Sequence, residues 1–206
     1  MKVAEIIESL LSNPLVYRLH AAGVDRPKLA AIRKLCSDYS GLKVLDLGCG
    51  PGNTAHIFSG ADYTGVDINE RYISVARKKH PGLNFIVGDV NRVEWGAGFD
   101  IILINSLLHH LDDNEASKIL RKAVAVLKET GKVIIQEPML PGKEEWSYRL
   151  MMRLDRGNYF RSLPDWKYLL EKAGLSAGEI SFYHLRVFGF KNYHMVSMLL
   201  ERGRQG

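Results

Sequence analysis

Five short, largely apolar runs mark the middle of the chain, and each ends at a glycine or a polar residue. Leu42–Leu47 ends at Gly48 and Ala61–Val66 at Asp67. Asn84–Val87 ends at Gly88-Asp89, Phe99–Ile104 at Asn105, and Gly131–Ile135 at Gln136. Runs of this length and continuity predict strands buried on both faces. Between them the period changes to that of a helix. Tyr72-Ile73 and Val75-Ala76 precede Arg77-Lys78-Lys79, a basic C-terminal turn. Ala116–Leu127 carries Ile119, Leu120, Ala123, Val124 and Leu127 at helical spacing. Strands alternating with helices predict an α/β fold, a parallel sheet covered on both faces.

The flanks differ. The first forty residues read as helical: Ile6, Leu10 and Leu11 share a face, and after Pro27 the period resumes through Leu29, Ile32, Arg33 and Leu35-Cys36. After Pro141, helices are expected over about 144–155 and 164–173, the second stopped by Gly174. Two β-like runs, about 178–188 and 192–200, stand close enough for a hairpin, which places one antiparallel strand at the end of the sheet. The expected organisation is a helical extension or cap over 1–40 and one α/β domain over 41–206, with 139–174 as substrate-cap helices. A chain of 206 residues fits a single domain.

Composition narrows the class. With 46% hydrophobic and 25% charged residues, the chain is neither a disordered tail nor a fibre. Two cysteines, Cys36 and Cys49, fit a reducing compartment better than a disulfide framework. Glu5 and Glu8 interrupt the N-terminal apolar residues, so no signal-peptide core is expected, and no membrane span is visible. The expected location is cytoplasmic. The net charge of +5 is uneven: residues 1–140 hold 17 basic and 16 acidic side chains, residues 141–206 hold 11 and 7. That distribution argues against a surface built to wrap nucleic acid and for a local basic feature in the last third.

The strongest chemical signal is Asp46-Leu47-Gly48-Cys49-Gly50-Pro51-Gly52-Asn53, a buried strand running into a glycine turn, with a helix expected soon after. Glycines permit positive φ and let a ligand approach the backbone, and strand C-termini are where doubly wound sheets bind ligands. A dinucleotide fingerprint would put its third glycine where Asn53 stands, and no Gly-Lys-Ser/Thr follows, so a P-loop is excluded. Asp67 lies nineteen residues after Gly48 and can accept hydrogen bonds from a ribose diol. Asp89 beside Val90 suits an adenine, whose amino group donates while its ring needs apolar walls. Asp46 can hold the loop or face a ligand's amino group. Each residue also has a plainer reading, as turn former or helix cap.

Together these residues resemble the class I S-adenosylmethionine-dependent methyltransferases. The resemblance covers about residues 42–137. Asp46–Gly52, Asp67, Gly88-Asp89-Val90, Phe99-Asp100 to Leu111 and Leu127-Lys128 to Gly131 carry it. It implies a doubly wound three-layer sandwich with a mostly parallel seven-stranded sheet, order 3-2-1-4-5-7-6, the last strand antiparallel. It implies S-adenosyl-L-methionine as cofactor. Gly48, Gly50 and Gly52, with Cys49 and Asn53 in the same loop, would pack against its amino acid portion. Asp67, followed by Ile68, would hold the ribose, and Asp89 with Val90 the adenine. Asn105 and Ser106 would pass beneath the sulfonium.

Methyl transfer from a sulfonium is an in-line displacement in which protein supplies position and electrostatics. A base is needed only when the nucleophile arrives protonated. His109 and His110 lie just past strand four, in a segment resembling the Leu-His-His-Leu of small-molecule methyltransferases. They are the catalytic candidates, against a structural role with a ring bonded to backbone. His184 and His194 read as structural. Residues 105–108 lack the Asn/Asp-Pro-Pro pattern of exocyclic base methylation, and neither cysteine is placed as a nucleophile. No spacing of ligands suggests a metal, and Asp112-Asp113 reads as a helix cap.

In the basic last third, Arg149, Arg153 and Arg156 share a helix face, with Arg161 following. Guanidinium groups there would recognise an acidic group on a small-molecule substrate, or pair with Glu144, Glu145 and Asp155. Tyr17, Arg18 and His20 could approach the site from the N-terminal helix or pack on the sheet. The sequence thus points to a small-molecule methyltransferase acting on oxygen, nitrogen or carbon. The alternatives are an RNA or protein methyltransferase, a cofactor-binding regulatory domain and, as an outsider, an oxidoreductase.

Overall fold

The computed structural model describes residues 14–35, 38–140, 148, 152, 157–187 and 190–203. Helix α1 (Pro14–Leu35) leads into strand β1 (Lys43–Leu47), followed by β2 (Asp62–Asp67), α2 (Glu70–Lys79) and β3 (Asn84–Val87). Then come β4 (Phe99–Asn105), α3 (Asp113–Val126), β5 (Leu127–Pro138), α4 (Leu163–Lys172), β6 (Leu175–Val187) and β7 (Phe190–Arg202). The seven strands form one sheet in the order β3-β2-β1-β4-β5-β7-β6. β1 to β5 pair in parallel, and β7 runs antiparallel between β5 and β6. The expected order and the expected antiparallel strand are both present.

Parallel strands are covered on both faces because the crossovers place helices there. On one face Ile102, Ile104, Val133 and Ile135 pack with Ile119, Leu120 and Ala123 of α3 and Trp166, Leu169 and Leu170 of α4. On the other, Val44, Leu103 and Ile134 pack with Ile32 of α1, Phe58, and Ile73 and Ala76 of α2. The alternation of Ile101 and Leu103 with Ile102 and Ile104 between these layers is the period-two geometry of a strand buried twice.

Helix ends follow their caps. Asn69 accepts hydrogen bonds from the amides of Arg71 and Tyr72 to start α2, and Asp112 accepts from Glu115 to start α3. Ser162 and Asp165 form a reciprocal capping box at α4, and Gly174, at φ 79°, follows its end. No helix among the described residues is long and apolar enough to cross a membrane.

Two elements depart from expectation. The helix expected after the glycine loop is only a 3-10 turn, Ala55–Phe58. Ser59 and Gly60 turn the chain at once, and Gly60 C=O accepts from Gly41 N, bringing β2 beside β1 within a few residues. β5 begins at Leu127 rather than Gly131, because Leu127 pairs with Phe99 before an irregularity in the register. By contrast, α1 runs as a single helix with Pro27 inside it, in line with the helical period that continues after that proline. The side chains of Tyr17, Arg18 and His20 lie outside the described ones, as does Cys36.

Candidate active site

The C-terminal ends of the parallel strands β1 to β5 form one edge of the sheet, and the expected cofactor-binding residues other than Asp46 lie along it. β1 is buried up to Leu47, and the chain then turns with φ of 72°, 54° and 71° at Gly48, Gly50 and Gly52. Such values strain any residue with a Cβ. Gly48 is also crowded, since a Cβ would come within 3.1 Å of the Leu107 side chain. At Gly50 the space is open: a Cβ would meet no atom within 4 Å. The loop is therefore held in a ligand-cradling shape with its outer side clear. Asn53 accepts from Lys79 Nζ at 3.2 Å, which ties the loop's far end to α2.

Asp67 closes β2 and bridges two backbones. Its Oδ2 accepts from Gly50 N at 2.9 Å and its Oδ1 from Asn69 N at 2.8 Å. Each carboxylate oxygen has a second lone-pair direction, so a diol can still be received. The next residue, Ile68, is an apolar side chain 71% exposed, a surface that a flat ring can cover. Val90 is buried, and Asp89 accepts from Asn91 N and pairs with Arg92 at 3.4 Å. These residues fit the adenosine and amino acid portions of S-adenosylmethionine.

Asp46 does not face this opening. It is buried and accepts from the Tyr63 hydroxyl at 2.8 Å. Burial pushes its carboxyl up to about 7, with the Asp67 charge adding to the rise and the Tyr63 hydrogen bond opposing it. Gly65 makes the contact possible, since a Cβ there would come within 2.9 Å of Cys49 Sγ and the Tyr63 hydroxyl. Cys49 itself is buried, and burial raises its thiol far above the ordinary range, which makes it inert packing.

The end of β4 is pinned by a residue the sequence reading passed over. Glu137, at the end of β5, is fully buried. Its Oε1 accepts from the amides of Leu107 and Leu108 at 2.8 and 2.7 Å, and its Oε2 lies 2.7 Å from His109 Nδ1. His109 is thus held by a carboxylate rather than by backbone. Its ring also stacks against Phe160 at 5.5 Å, and its carbonyl accepts from the amides of Asn158 and Tyr159. His110, on the same 3-10 turn, is exposed. A charged residue closing a buried apolar strand was the available signal for Glu137.

Ser106 has φ of 56°, the one non-glycine residue in the left-handed region among the described residues. Three contacts hold it there: its amide donates to Gln136 C=O at 2.8 Å, and its hydroxyl meets Lys28 Nζ at 2.8 Å and Asn105 Oδ1 at 3.3 Å. Strain of this kind collects where a site is being shaped. The Lys28 contact brings α1 to the end of β4.

The arginine expectation is changed. Arg149, Arg153 and Arg156 lie outside the described residues. Arg161 is described and faces its own chain. It is 4% exposed, donates to Asp113, Leu108 C=O, Leu111 C=O and Tyr159 C=O, and stacks on Trp166. A guanidinium so engaged braces the histidine turn against α3, with four of its five N–H donors spent within the chain. His184 and His194 stack on each other at 4.9 Å in the last two strands. No cluster of metal-ligating side chains occurs among the described residues.

Comparison with known proteins agrees with this geometry. Residues 44–131 match the model of a methyltransferase domain family. Over 146 residues the chain is 30% identical to trans-aconitate 2-methyltransferase of Variovorax paradoxus, covering 68% of this chain and 54% of the relative. It is 24% identical to demethylmenaquinone methyltransferase of Thermotoga maritima, covering 92% and 81%. The chain spans about half the length of the trans-aconitate enzymes it matches. In fold it resembles magnesium protoporphyrin IX methyltransferase of Synechocystis, solved with bound SAH, at a TM-score of 0.70 and 17% identity, covering 89% and 86%. The YcgJ protein of Bacillus gives a TM-score of 0.70 at 19% identity, covering 88% and 100%. The ordered set of glycine loop, strand-end acids and sheet topology, joined to these matches, makes this chain a member of the class I S-adenosylmethionine-dependent methyltransferase family.

Proposed function

We propose that this chain transfers the sulfonium methyl group of S-adenosyl-L-methionine to a small-molecule acceptor. The observation that carries the reading is the join of Asp67 to Gly50, which fixes an open glycine cradle beside the exposed Ile68. When bound, the cofactor supplies an electrophilic methyl carbon; all else falls to the chain. Gly48, Gly50 and Gly52 receive its amino acid portion, Asp67 its ribose hydroxyls, and Ile68, Asp89 and Val90 its adenine. Asn105 and strained Ser106 line the approach to the reacting centre. Glu137 keeps the turn at 107–109 from shifting, so the acceptor meets a fixed wall. Orientation of this kind is worth about 7–11 kcal/mol when complete.

For an acceptor that arrives protonated, His110 is the residue assigned to take the proton. It is exposed on the turn that Glu137 and Arg161 hold, and imidazole is the side chain most often used as a general base. The relatives named for trans-aconitate, an acid by that name, support an acceptor with an acidic group met by Arg149, Arg153 and Arg156. An RNA substrate is disfavoured by the near-neutral charge of residues 1–140.

The test has two stages. Saturation with S-adenosylmethionine at 100 times its dissociation constant should stabilise the fold by about 2.7 kcal/mol. Incubation of metabolite extracts with labelled methyl donor should then yield a labelled small molecule identified by mass. Binding without transfer to any extract would favour the regulatory reading. No binding, with stabilisation by a nicotinamide cofactor instead, would replace both readings by an oxidoreductase.

A further inference from the structure

The turn that carries Asp89 and Val90 is held at both ends. At its start, Gly88 N donates to Asp67 C=O at 2.9 Å, which ties it to the last residue of β2. Asp89 then opens one helical turn. Its carbonyl accepts from the amides of Arg92 and Val93, both at 2.9 Å, and its Oδ1 accepts from Asn91 N at 2.9 Å. The turn folds back on its own beginning, since a Cβ on Gly88 would come within 2.1 Å of Val93 Cγ2. The place of Val93 therefore sets the place of Gly88, and with it that of Asp89.

The end of a helical turn leaves carbonyls without a partner. Here a side chain from α3 takes them. Lys122 Nζ donates to Val93 C=O at 2.5 Å and makes a longer contact with Val90 C=O at 3.5 Å. The same ammonium stands 4.2 Å from the centre of the Trp95 ring. Trp95 is buried in one cluster with Val90 and Phe99, and α3 is packed into that cluster through Ile119, Leu120 and Ala123. Lys122 thus joins two carbonyls of the turn, and the buried ring just after it, to a fixed helix. Arg92 does not do the same work. Its pair with Asp89 spans 3.4 Å and its side chain is 88% exposed, so water competes for it.

We infer that Lys122 is a positioning residue for the cofactor's adenine, an inference that rests on the methyl-transfer reading and its placing of the adenine at Asp89 and Val90. Lys122 acts through the turn. It holds the Val93 carbonyl, Val93 bears on Gly88, and Gly88 aims the Asp89 carboxylate at the amino group of the base. Hydrogen-bond selection of a base depends on that aim, because a carboxylate accepts from an amino group and repels a carbonyl oxygen in the same place. Lys122 is therefore expected to govern which base is accepted, beyond how tightly the cofactor is held.

The test compares S-adenosylhomocysteine with S-inosylhomocysteine, in which an oxygen replaces the amino group of the base. Affinities of both for the full chain are measured by calorimetry in wild type, Lys122→Met and Val93→Ala. Wild type is expected to prefer S-adenosylhomocysteine by about 30-fold, as one charge-assisted hydrogen bond would give. Lys122→Met keeps an apolar stem beside Trp95 and loses the donors, and its preference is expected to fall to about five-fold or less. Val93→Ala keeps the bond from Lys122 and loses the contact with Gly88, with the same expected fall. A purely structural loss would weaken both ligands by one factor and leave the preference intact. A preference that survives in Lys122→Met, or in Val93→Ala where Lys122→Met does not fold, overturns the inference and leaves the methyl-transfer reading standing. Equal binding of the two ligands by wild type overturns it by removing Asp89 from the base. Binding of neither ligand removes the methyl-transfer reading, and the inference with it.

Discussion

Glu137 Oε2 and His109 Nδ1 lie 2.7 Å apart, and both side chains are buried. The carboxylate's other oxygen takes two consecutive amides, those of Leu107 and Leu108. One buried charge thus fixes backbone and side chain of the turn that follows β4. Three donors aimed at one carboxylate are the compensation a buried charge requires. The contact also assigns the proton to His109 Nδ1, so His109 donates to Glu137 and acts through position.

Replacing Glu137 with alanine should leave two amides and an imidazole without their acceptor. Loss of one member of such a buried group costs about 3–5 kcal/mol. Glu137→Ala is therefore expected to lower unfolding free energy by that amount in urea titration. Glu137→Gln keeps the shape and one acceptor oxygen, and should lose less than half as much. If the two variants match wild type in stability, the carboxylate is not the pin described.

Gly157 stands against His109, where a Cβ would come within 2.1 Å of Cδ2 and 3.0 Å of the carbonyl oxygen. The imidazole cannot retreat, because Glu137 holds one edge and Phe160 one face. Gly157→Ala should destabilise by about 1–3 kcal/mol through overpacking. A thermal melt that leaves Gly157→Ala unchanged would show that His109 moves freely.

Much of this was legible in the residues. Apolar runs ending at Gly48, Asp67, Asp89 and Asn105 gave both the strands and their ligand-facing ends, because a doubly buried strand must be continuous and its exit must turn. Length was less legible: the register that lets Leu127 pair with Phe99 is a tertiary fact with no local signature. Arg161 misled because a guanidinium suits an external acid and an internal set of carbonyls equally well. Only the positions of Leu108, Leu111 and Asp113 decide between them. Glu137 was harder to read for the opposite reason: two of its three partners are backbone amides, and any sequence supplies those.

Arg161→Lys tests the bracing role directly. A lysine cannot span Asp113 and two carbonyls with a planar fork. The variant should lose about 2–4 kcal/mol of stability, since it strands buried carbonyls and leaves the Trp166 face uncovered. At a temperature where the variant is folded, the Michaelis constant for an identified acceptor should stay within about two-fold. A large rise in that constant with unchanged stability would return Arg161 to substrate recognition.

Asp67→Ala removes the bond to Gly50 and the acceptor for the ribose. Its structural loss should be modest, about 1 kcal/mol, because the site is partly solvated. Its binding loss should be larger. Two charge-assisted hydrogen bonds at roughly 1.5 kcal/mol each correspond to about a hundred-fold weaker cofactor binding. Calorimetry on Asp67→Ala and Asp67→Asn checks this, and unchanged affinity in both would remove Asp67 from the cofactor site.

Asp46 gives a stability–pH signature of unusual sign. Its carboxyl sits at about 7 in the folded chain, chiefly through burial, against an ordinary value of 3.8. Between these values the folded state binds the extra proton. Stability conferred by this group is therefore full below about pH 4 and falls as pH rises towards 7, then levels. The fall amounts to about 4 kcal/mol if other groups are subtracted. Comparison with Asp46→Asn performs the subtraction. Asparagine still accepts from Tyr63 but does not ionise, so the variant should be relatively more stable at pH 8 than at pH 5. The wild-type minus variant difference in unfolding free energy, measured across that range, should slope downward with pH. A flat difference would mean that Asp46 is already ionised in the fold and that Tyr63 compensates its burial.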